Sequence, residues 1–381
     1  MMIFYAILAG FLSLAYLIIM SRYWIYWERL PQWELPAAYI AQTTVSIIIP
    51  ARNEAEHIVA TLQAIQQQNY PQNLLEVIVI DDHSEDETAT LVRSFEGLSI
   101  QLLSLADHVG ATQNNSYKKY AIELALQRAK GALIVTTDAD CVMGKDWLNY
   151  LVAYHQKTGA KLLAAPVNFF QEKSTMARFQ SLDFIGMMGI TGAGIYGGFG
   201  NLCNGANLAY EREAFFAVDG FTGIDNLASG DDMLLMQKIR KQFPEQIAFV
   251  KHPAATVYTT AKEDWRSFIQ QRIRWASKSS VYTAWEVQLI LVLVFLYCVN
   301  ILVGLLCWPF FAGMVWWLGA QLLIKISIDY FYLQRMSHYF GRSDLMQSFL
   351  SSQFMHIAYI VGIGLLANLV KKYEWKGRKI K

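Results

Sequence analysis

The stretch VSIIIP, Val45–Pro50, is a continuous apolar run of strand length, and a helical pattern over Glu54–Gln68 follows it. Two later runs, LEVIVIDD (Leu75–Asp82) and ALIVTTDAD (Ala132–Asp140), have the same character and also alternate with helical patterns. Strands that are apolar on both faces and are each followed by a helix are typical of an α/β domain. The three runs therefore predict such a domain, with a mostly parallel sheet.

Two carboxylate pairs stand where predicted strands stop, namely Asp81 with Asp82 and Asp138 with Asp140. The carboxyl ends of parallel strands are where open α/β sheets bind ligands. For Asp81 and Asp82, an ordinary turn with a helix cap is an equally good interpretation. Asp138 and Asp140 repel each other unless a cation or a proton lies between them. Mg²⁺ or Mn²⁺ would satisfy this second pair and would in turn hold a diphosphate.

The composition predicts that part of the chain lies in a membrane. Of its 381 residues, 54% are apolar and 17% are charged, against roughly 25% charged residues in ordinary soluble domains. The run Met2–Met20 carries no charge and is long enough to cross a bilayer. Arg22 and the aromatic residues after it indicate a signal anchor, with the N-terminus outside and the following domain in the cytoplasm.

Three further apolar runs follow the predicted domain. They are Leu289–Trp308, a run that begins at Phe310, and a run that ends just before the basic C-terminal tail. Lys325 and Asp329 are expected to pair one helical turn apart. The positive charges on both sides of the last run both indicate the cytoplasm, which one spanning helix would not allow. Either residues 345–370 form a re-entrant or interfacial element, or the tail is an exception.

The cysteine content and the net charge exclude other classes of protein. Four scattered cysteines without a CxxC pair argue against a disulfide framework or a zinc site. A reduced, cytoplasmic domain is the simplest interpretation. The net charge of +1 and the absence of a basic stripe argue against a nucleic-acid partner.

Six segments follow one another in an order typical of one enzyme family. VSIIIPARNEAE, VIDDHSEDET, TTDADC, NGANLAYEREAF, SGDDMLL and QRIRW together resemble the membrane-bound branch of glycosyltransferase family 2. Each motif alone is weak, but the ordered set over residues 44–276 is specific. The branch includes ceramide glucosyltransferase-like and polysaccharide synthase-like members. The resemblance implies a nucleotide-sugar-binding domain of the GT-A fold, cytoplasmic and embedded between transmembrane helices.

The resemblance and the apolar runs together predict the organisation of the chain. We expect an integral protein of the bacterial inner (plasma) membrane. The predicted segments are a transmembrane helix (1–22), an interfacial linker (23–43), the GT-A domain (44–260), an interfacial amphipathic helix with the QxxRW motif (261–286), about three membrane helices (287–370) and a basic tail (371–381).

The resemblance also assigns donor and metal sites by position. The DXD motif corresponds to Asp138 and Asp140, in which Asp140 touches the metal and Asp138 the ribose or sugar. The cofactor is then Mg²⁺ or Mn²⁺. The residues expected to bind the nucleotide sugar are Asn53, Glu54, Asp82, Lys118, Lys119 and Asp138.

The catalytic and acceptor assignments come from the same resemblance. Asp232 matches the catalytic base, and Asp231 is expected to orient the site. The glycine-rich segment from Asp183 to Asn207 permits close helix packing or a flexible loop. We predict an interfacial helix there that leads into an acceptor loop. The residues expected to bind the diphosphate or the acceptor are Gln271, Arg274, Trp275, Gly205 and Ala206, whereas Arg272 has no counterpart in the motif.

The implied reaction is an inverting transfer of a hexose or N-acetylhexosamine from a UDP-sugar. The acceptor is a membrane lipid hydroxyl in the first hypothesis. In the second, the protein is a processive polysaccharide synthase that extends a glycan. In the third, it is a membrane-tethered protein that binds a nucleotide sugar without turnover. The sequence gives no protein partner.

Overall fold

The computed structural model describes two compact units. The described residues are 2–109, 116–200, 202–227, 230–276 and 285–369, together with 373–375 and 378–380. The first unit, which we call the sheet unit, contains residues 31–170, 201–260 and 374–381. The second, which we call the helix unit, contains residues 1–30, 171–200 and 261–373.

The strands are short and begin after the first helix. They are β1 (Val45–Ala51), β2 (Leu75–Asp81), β3 (Ile100–Ser104), β4 (Leu133–Thr136), β5 (Val142–Met143), β6 (Leu162–Ala164), β7 (Val167–Phe170), β8 (Leu208–Glu211), β9 (Ile247–Phe249), β10 (Val257–Thr260), β11 (Tyr373–Trp375) and β12 (Arg378–Ile380).

The helices of the sheet unit are 6 to 12 residues long. They are α2 (Ile58–Gln66), α3 (Thr88–Arg93), α4 (Tyr117–Arg128), α5 (Trp147–Thr158), α7 (Arg212–Ala217) and α8 (Met233–Gln242). The helices of the helix unit are α1 (Met2–Arg29), α6 (Thr175–Tyr196), α9 (Trp265–Ala276), α10 (Trp285–Cys307), α11 (Met314–Tyr339) and α12 (Phe349–Leu369).

The main sheet has seven strands in the order β3-β2-β1-β4-β8-β6-β9. Strand β1 pairs in parallel with β2 and β4, and β2 pairs in parallel with β3, whereas β8 is antiparallel to both of its neighbours. Ile47, Ile48 and Ile49 of β1 are all fully buried, because a central strand with helices on both faces has no solvent side. The predicted α/β domain with a mostly parallel sheet is confirmed.

The helix unit is built around α1. This helix contacts α6, α10 and α11, and α12 contacts α9 and α10. Within the described residues, three helical segments are long and apolar enough to cross a membrane: Met2–Arg29, Trp285–Cys307 and Ser343–Ala367. Helix α11 is not among them. The predicted first run, Met2–Met20, is part of the longer helix α1. Helix α12 is one continuous helix of 21 residues.

A buried polar network ties three helices of this unit together. Lys325 Nζ lies 2.5 Å from Asp329 Oδ2 and donates a hydrogen bond to Gln353 Oε1 at 3.1 Å. The Tyr16 hydroxyl donates to Asp329 Oδ1 at 2.5 Å. The predicted pairing of Lys325 with Asp329 is confirmed, and the network joins α1, α11 and α12.

Candidate active site

The candidate site lies in the sheet unit, where β4 ends and where α8 begins. Asp138 and Asp140 follow β4, whose last residue is Thr136. The Thr136 hydroxyl donates a hydrogen bond to the carbonyl oxygen of Gly205 at 2.8 Å. This bond holds the loop before β8 against the end of β4, next to the carboxylates.

Lys118 connects the carboxylates of this region. It lies in the first turn of α4, and its Nζ is 2.8 Å from Asp138 Oδ1 and 3.3 Å from Asp231 Oδ2. Burial alone would lower the pKa of Lys118, but the charges of Asp138, Asp231 and Asp232 more than offset this effect and raise it. The lysine is therefore charged at neutral pH. We call Asp138, Asp231, Asp232 and Lys118 the carboxylate cluster.

Asp232 is held in place by two main-chain groups. It is the N-cap of α8, where its Oδ1 accepts a hydrogen bond from the amide of Met233 at 2.7 Å. Its Oδ2 accepts from the amide of Gly205 at 3.1 Å. Aspartate is favoured as an N-cap, and the positive end of the helix dipole stabilises its negative charge. The carboxylate is thus fixed in one orientation.

Gly205 allows the loop to approach the cluster closely. A β-carbon at this position would lie 3.1 Å from Asp231 Oδ2 and 3.5 Å from Lys118 Nζ. Asn204 orders the same loop, because its side chain accepts a hydrogen bond from the amide of Ala206 at 3.0 Å. Ala206 is buried, and the main chain at Gly205 lies next to the carboxylates.

The second predicted lysine has a different set of contacts. Lys119 is buried, and its Nζ donates to the carbonyl oxygens of Ile224 at 2.7 Å and Leu227 at 2.6 Å. Burial lowers the pKa of Lys119 to about 8, although nearby carboxylates oppose this shift. Lys119 thus binds the main chain that precedes the carboxylates of α8, whereas Lys118 contacts the carboxylates themselves.

The predicted nucleotide-pocket residues lie together after β1 and β2. The amide of Asn53 donates to Ser84 Oγ at 3.0 Å, and the amide of Glu85 donates to Asn53 Oδ1 at 2.9 Å. The amide of Glu54 donates to Thr88 Oγ1 at 2.8 Å. Asn53 has a left-handed backbone with φ of 51°, which asparagine tolerates better than most residues.

Two residues that the sequence did not single out complete this pair of loops. Arg52 Nη1 donates to the carbonyl oxygens of Asp82 at 2.9 Å and His83 at 2.7 Å. His83 Nδ1 lies 3.0 Å from Oδ1 of Asp82, which is buried. The signal for Arg52 was its place directly after a buried strand. From that position after β1, Arg52 reaches the main-chain oxygens that follow β2.

Comparison with known proteins identifies the family. Residues 133–371 match the model described as Glycosyl transferase family group 2, and residues 46–215 match Glycosyl transferase family 2. The first match covers more than half of the chain. The chain belongs to glycosyl transferase family group 2.

Two curated relatives match parts of this chain. Glycosyltransferase AglE of Haloferax volcanii is 34% identical over 125 residues, which cover 33% of this chain and 40% of AglE. The probable glycosyltransferase YdaM of Bacillus subtilis is 28% identical over 266 residues, which cover 67% of this chain and 59% of YdaM. The chain thus spans well under two thirds of the length of either relative.

A solved structure has a similar fold along the whole chain. Mannosyltransferase PcManGT from Pyrobaculum calidifontis, solved in complex with GDP-Man and Mn²⁺, superposes with a TM-score of 0.60 at 20% identity. The likeness covers 96% of this chain and 99% of that protein. The predicted GT-A fold is confirmed.

The residues at the end of β4 suit a hard divalent cation. Among the described residues, no three His, Cys, Asp or Glu side chains are grouped to hold a metal ion. The two carboxylates, Asp138 and Asp140, match the way Mg²⁺ binds, through one or two carboxylates together with phosphate and water. Burial and both aspartates raise the pKa of the neighbouring Cys141 thiol.

The residues predicted from the QxxRW motif lie in the helix unit, on α9. The Trp275 ring lies 4.5 Å from the guanidinium carbon of Arg272 and 6.0 Å from the ring of Phe184. Gln271 is half-buried, and Arg274 is also partly covered. One face of Trp275 is therefore occupied by its own helix unit.

Proposed function

We propose that the protein transfers a sugar from a nucleotide sugar to a membrane lipid hydroxyl, with inversion at the anomeric carbon and with Asp232 as the base. The observation that carries this proposal is the carboxylate cluster. Three carboxylates surround one ammonium group, and Lys118 contacts two of them directly. The excess of negative charge suits a site that takes up a proton and binds cationic groups.

Asp232 is the best candidate for the base. An acceptor hydroxyl loses a proton as it attacks the anomeric carbon, and a positioned carboxylate accepts that proton. The hydrogen bonds from Gly205 and Met233 fix the carboxylate of Asp232, which lowers the cost of orienting it during the reaction. Attack from the face opposite the leaving group gives inversion.

The leaving nucleoside diphosphate needs positive charge beside it. Lys118 is a charged lysine at the end of the sheet, and its ammonium group can bind phosphate oxygens. Mg²⁺ or Mn²⁺ held by Asp138 and Asp140 would supply further positive charge to the diphosphate. The roles of Gln271, Arg274 and Trp275 at the diphosphate and the acceptor remain predictions from the motif.

The apolar helices favour a lipid acceptor. Three helical segments of the described chain are suited to a membrane, and a lipid hydroxyl would reach an enzyme there without leaving the bilayer. The expected location is the bacterial inner membrane, with the sheet unit in the cytoplasm. The donor is expected to be a UDP-hexose or UDP-N-acetylhexosamine.

The test is nucleotide release by the detergent-purified full chain with Mg²⁺ or Mn²⁺ and total membrane lipid. The donor panel should contain UDP-sugars and GDP-mannose, because the similar mannosyltransferase was solved with GDP-Man. We expect Asp232→Asn to lower turnover by about 10²–10⁴-fold, the usual contribution of a general base. Asparagine is also a good N-cap, so α8 should remain intact. Asp107→Asn, at an exposed position, is the matched control.

Mass spectrometry of the lipid extract separates the hypotheses. A gain of one sugar that depends on Asp232 supports the proposed transfer and identifies the acceptor. A ladder of sugar units would show a processive synthase in its place. Tight nucleotide binding without turnover would contradict both and favour a binding protein.

A further inference from the structure

Arg272 is a buried charge on α9 within the helix unit. Only 1% of its side chain is exposed, and its Nη2 lies 3.2 Å from Oδ2 of Asp183 on α6, whose side chain is 9% exposed. A buried charge is costly unless an opposite charge lies beside it. The QxxRW motif specifies no residue at position 272, so the motif by itself assigns Arg272 no role.

Aromatic rings enclose the same guanidinium group. Its central carbon lies 5.0 Å from the ring of Phe268, 4.5 Å from Trp275 and 5.6 Å from Tyr359. Phe268 and Trp275 belong to α9, and Tyr359 belongs to α12. Cations within about 6 Å of a ring centre are attracted to its face. The arginine is thus held between α6, α9 and α12.

Asp183 supplies the countercharge for this arginine. Among the described residues, Nε and Nη2 of Arg272, Oδ2 of Asp183 and Nδ1 of His356 are all buried without a hydrogen-bond partner, so Arg272 and Asp183 interact through their charges and not through a hydrogen bond. His356 Nε2 lies 4.0 Å from Asp183 Oδ1, and Arg272 Nη1 lies 3.9 Å from the sulfur of Met187. Without the charge of Asp183, these neighbours would leave the guanidinium uncompensated.

The position of Arg272 on α9 lets its ion pair with Asp183 fix the rotation of this helix about its axis. Phe268, Arg272 and Trp275 are spaced four and three residues apart, so they lie on one face of α9. Gln271 and Arg274 lie at other angles around the same helix. Holding Arg272 in place therefore fixes the rotation of α9 about its axis and the directions of its neighbours.

We infer that Asp183 is a positioning residue, which fixes the orientation of α9 through its ion pair with Arg272. This inference deepens the proposed function and rests on it where turnover is concerned, because α9 carries the QxxRW residues. Asp183 itself is not expected to touch the substrate. Its effect on the reaction passes through Arg272 and Trp275.

The experiment uses the full chain in detergent with four variants: Asp183→Asn, Asp183→Glu, Arg272→Met and the double variant Asp183→Asn with Arg272→Met. The matched control is Asp344→Asn, which removes the ion pairs of the exposed Asp344 with Arg178 of α6 and with Arg342. Hydrogen exchange of peptides covering α9 is measured for every variant, with kcat and KM for the donor measured in parallel.

We expect Asp183→Asn to speed amide exchange in α9 about tenfold and to lower kcat, because asparagine keeps the shape of the side chain and removes only its charge. Asp183→Glu should recover part of both. The double variant should exchange close to wild type, since removing both charges leaves none uncompensated. A purely steric role would not give this recovery.

Two results would overturn the inference. The first is exchange in Asp183→Asn that matches Asp344→Asn, and the second is a double variant whose exchange is as fast as the sum of its single variants predicts. Exchange is measured without substrate. If Asp183→Asn exchanges faster than the wild type but the wild type shows no turnover, the inference that Asp183 positions α9 stands and only the proposed function is rejected.

Discussion

The sheet unit and the helix unit each contain a cluster of charges, and the two clusters are balanced differently. In the helix unit, Lys325 pairs with Asp329 and Arg272 pairs with Asp183, with one positive charge for each negative charge. These four side chains are at most 9% exposed. Matched and buried charges of this kind connect helices and leave no excess charge for a ligand.

The carboxylate cluster of the sheet unit is neither matched nor closed. Three carboxylates surround Lys118, and the side chain of Asp138 is 39% exposed. Excess charge next to solvent is available to a cation, a proton or a substrate. The number of buried charges is therefore a weaker reason to propose a site than an imbalance among charges near solvent.

The largest effect that we expect from a charge removal is on the stability of the helix unit. Lys325→Met leaves Asp329 buried without its cation and should lower the free energy of unfolding by about 3–5 kcal/mol. Arg335→Gln on the same helix removes an exposed ion pair with Glu28 and should cost at most about 1 kcal/mol. Denaturation in detergent measures both. Equal losses for the two variants would contradict the contrast.

Removal of the corresponding cation from the carboxylate cluster should affect nucleotide-sugar binding more than stability. Lys118→Met removes a cation that contacts Asp138 and Asp231, and we expect donor affinity to fall about thirtyfold, which corresponds to about 2 kcal/mol for a charged hydrogen bond. The free energy of unfolding should fall by less than in Lys325→Met, because Asp138 is 39% exposed to water, although Asp231 is only 8% exposed. Calorimetric titration with the nucleotide measures the affinity. Unchanged affinity with a large loss of stability would make Lys118 a structural residue.

The smallest expected effect tests how closely the loop approaches the cluster. Gly205→Ala places a methyl group 3.1 Å from Asp231 Oδ2, and the carboxylate must shift by a few tenths of an ångström. We expect turnover to fall about tenfold, or about 1.4 kcal/mol, with little change in stability. Gly144→Ala, where no atom lies within 4 Å of the new carbon, should behave like the wild type. Full activity of Gly205→Ala would show that this close approach does not matter.

Local sequence patterns were enough to predict the fold. The run Val45–Pro50 forms β1, which ends one residue later, and the run Leu75–Asp82 forms β2, which ends one residue earlier. A buried parallel strand needs apolar side chains on both faces, so its pattern does not depend on the rest of the chain. The helices were less well defined, because α1 extends to Arg29, beyond the predicted end at Met20.

The site was predicted by residue type but not by contact. Asp138, Asp232 and Lys118 were singled out from the sequence. The distances between them, and the hydrogen bonds from Lys119 to two loop carbonyl oxygens, could not be predicted from it. Arg52 was missed altogether. These contacts join residues far apart in the chain, so their geometry depends on how strands and loops are brought together.

The sequence by itself determined the family, the alternation of strands and helices and the apolar runs, because each depends on residue identity and spacing. Only the tertiary structure decided that Lys118 lies next to Asp138 and that Lys119 donates to the carbonyl oxygens of Ile224 and Leu227, since adjacent residues on a helix point in different directions. The same holds for Arg272, which the motif leaves unexplained. Its countercharge, Asp183, is 89 positions away in the chain, and folding alone brings the two together.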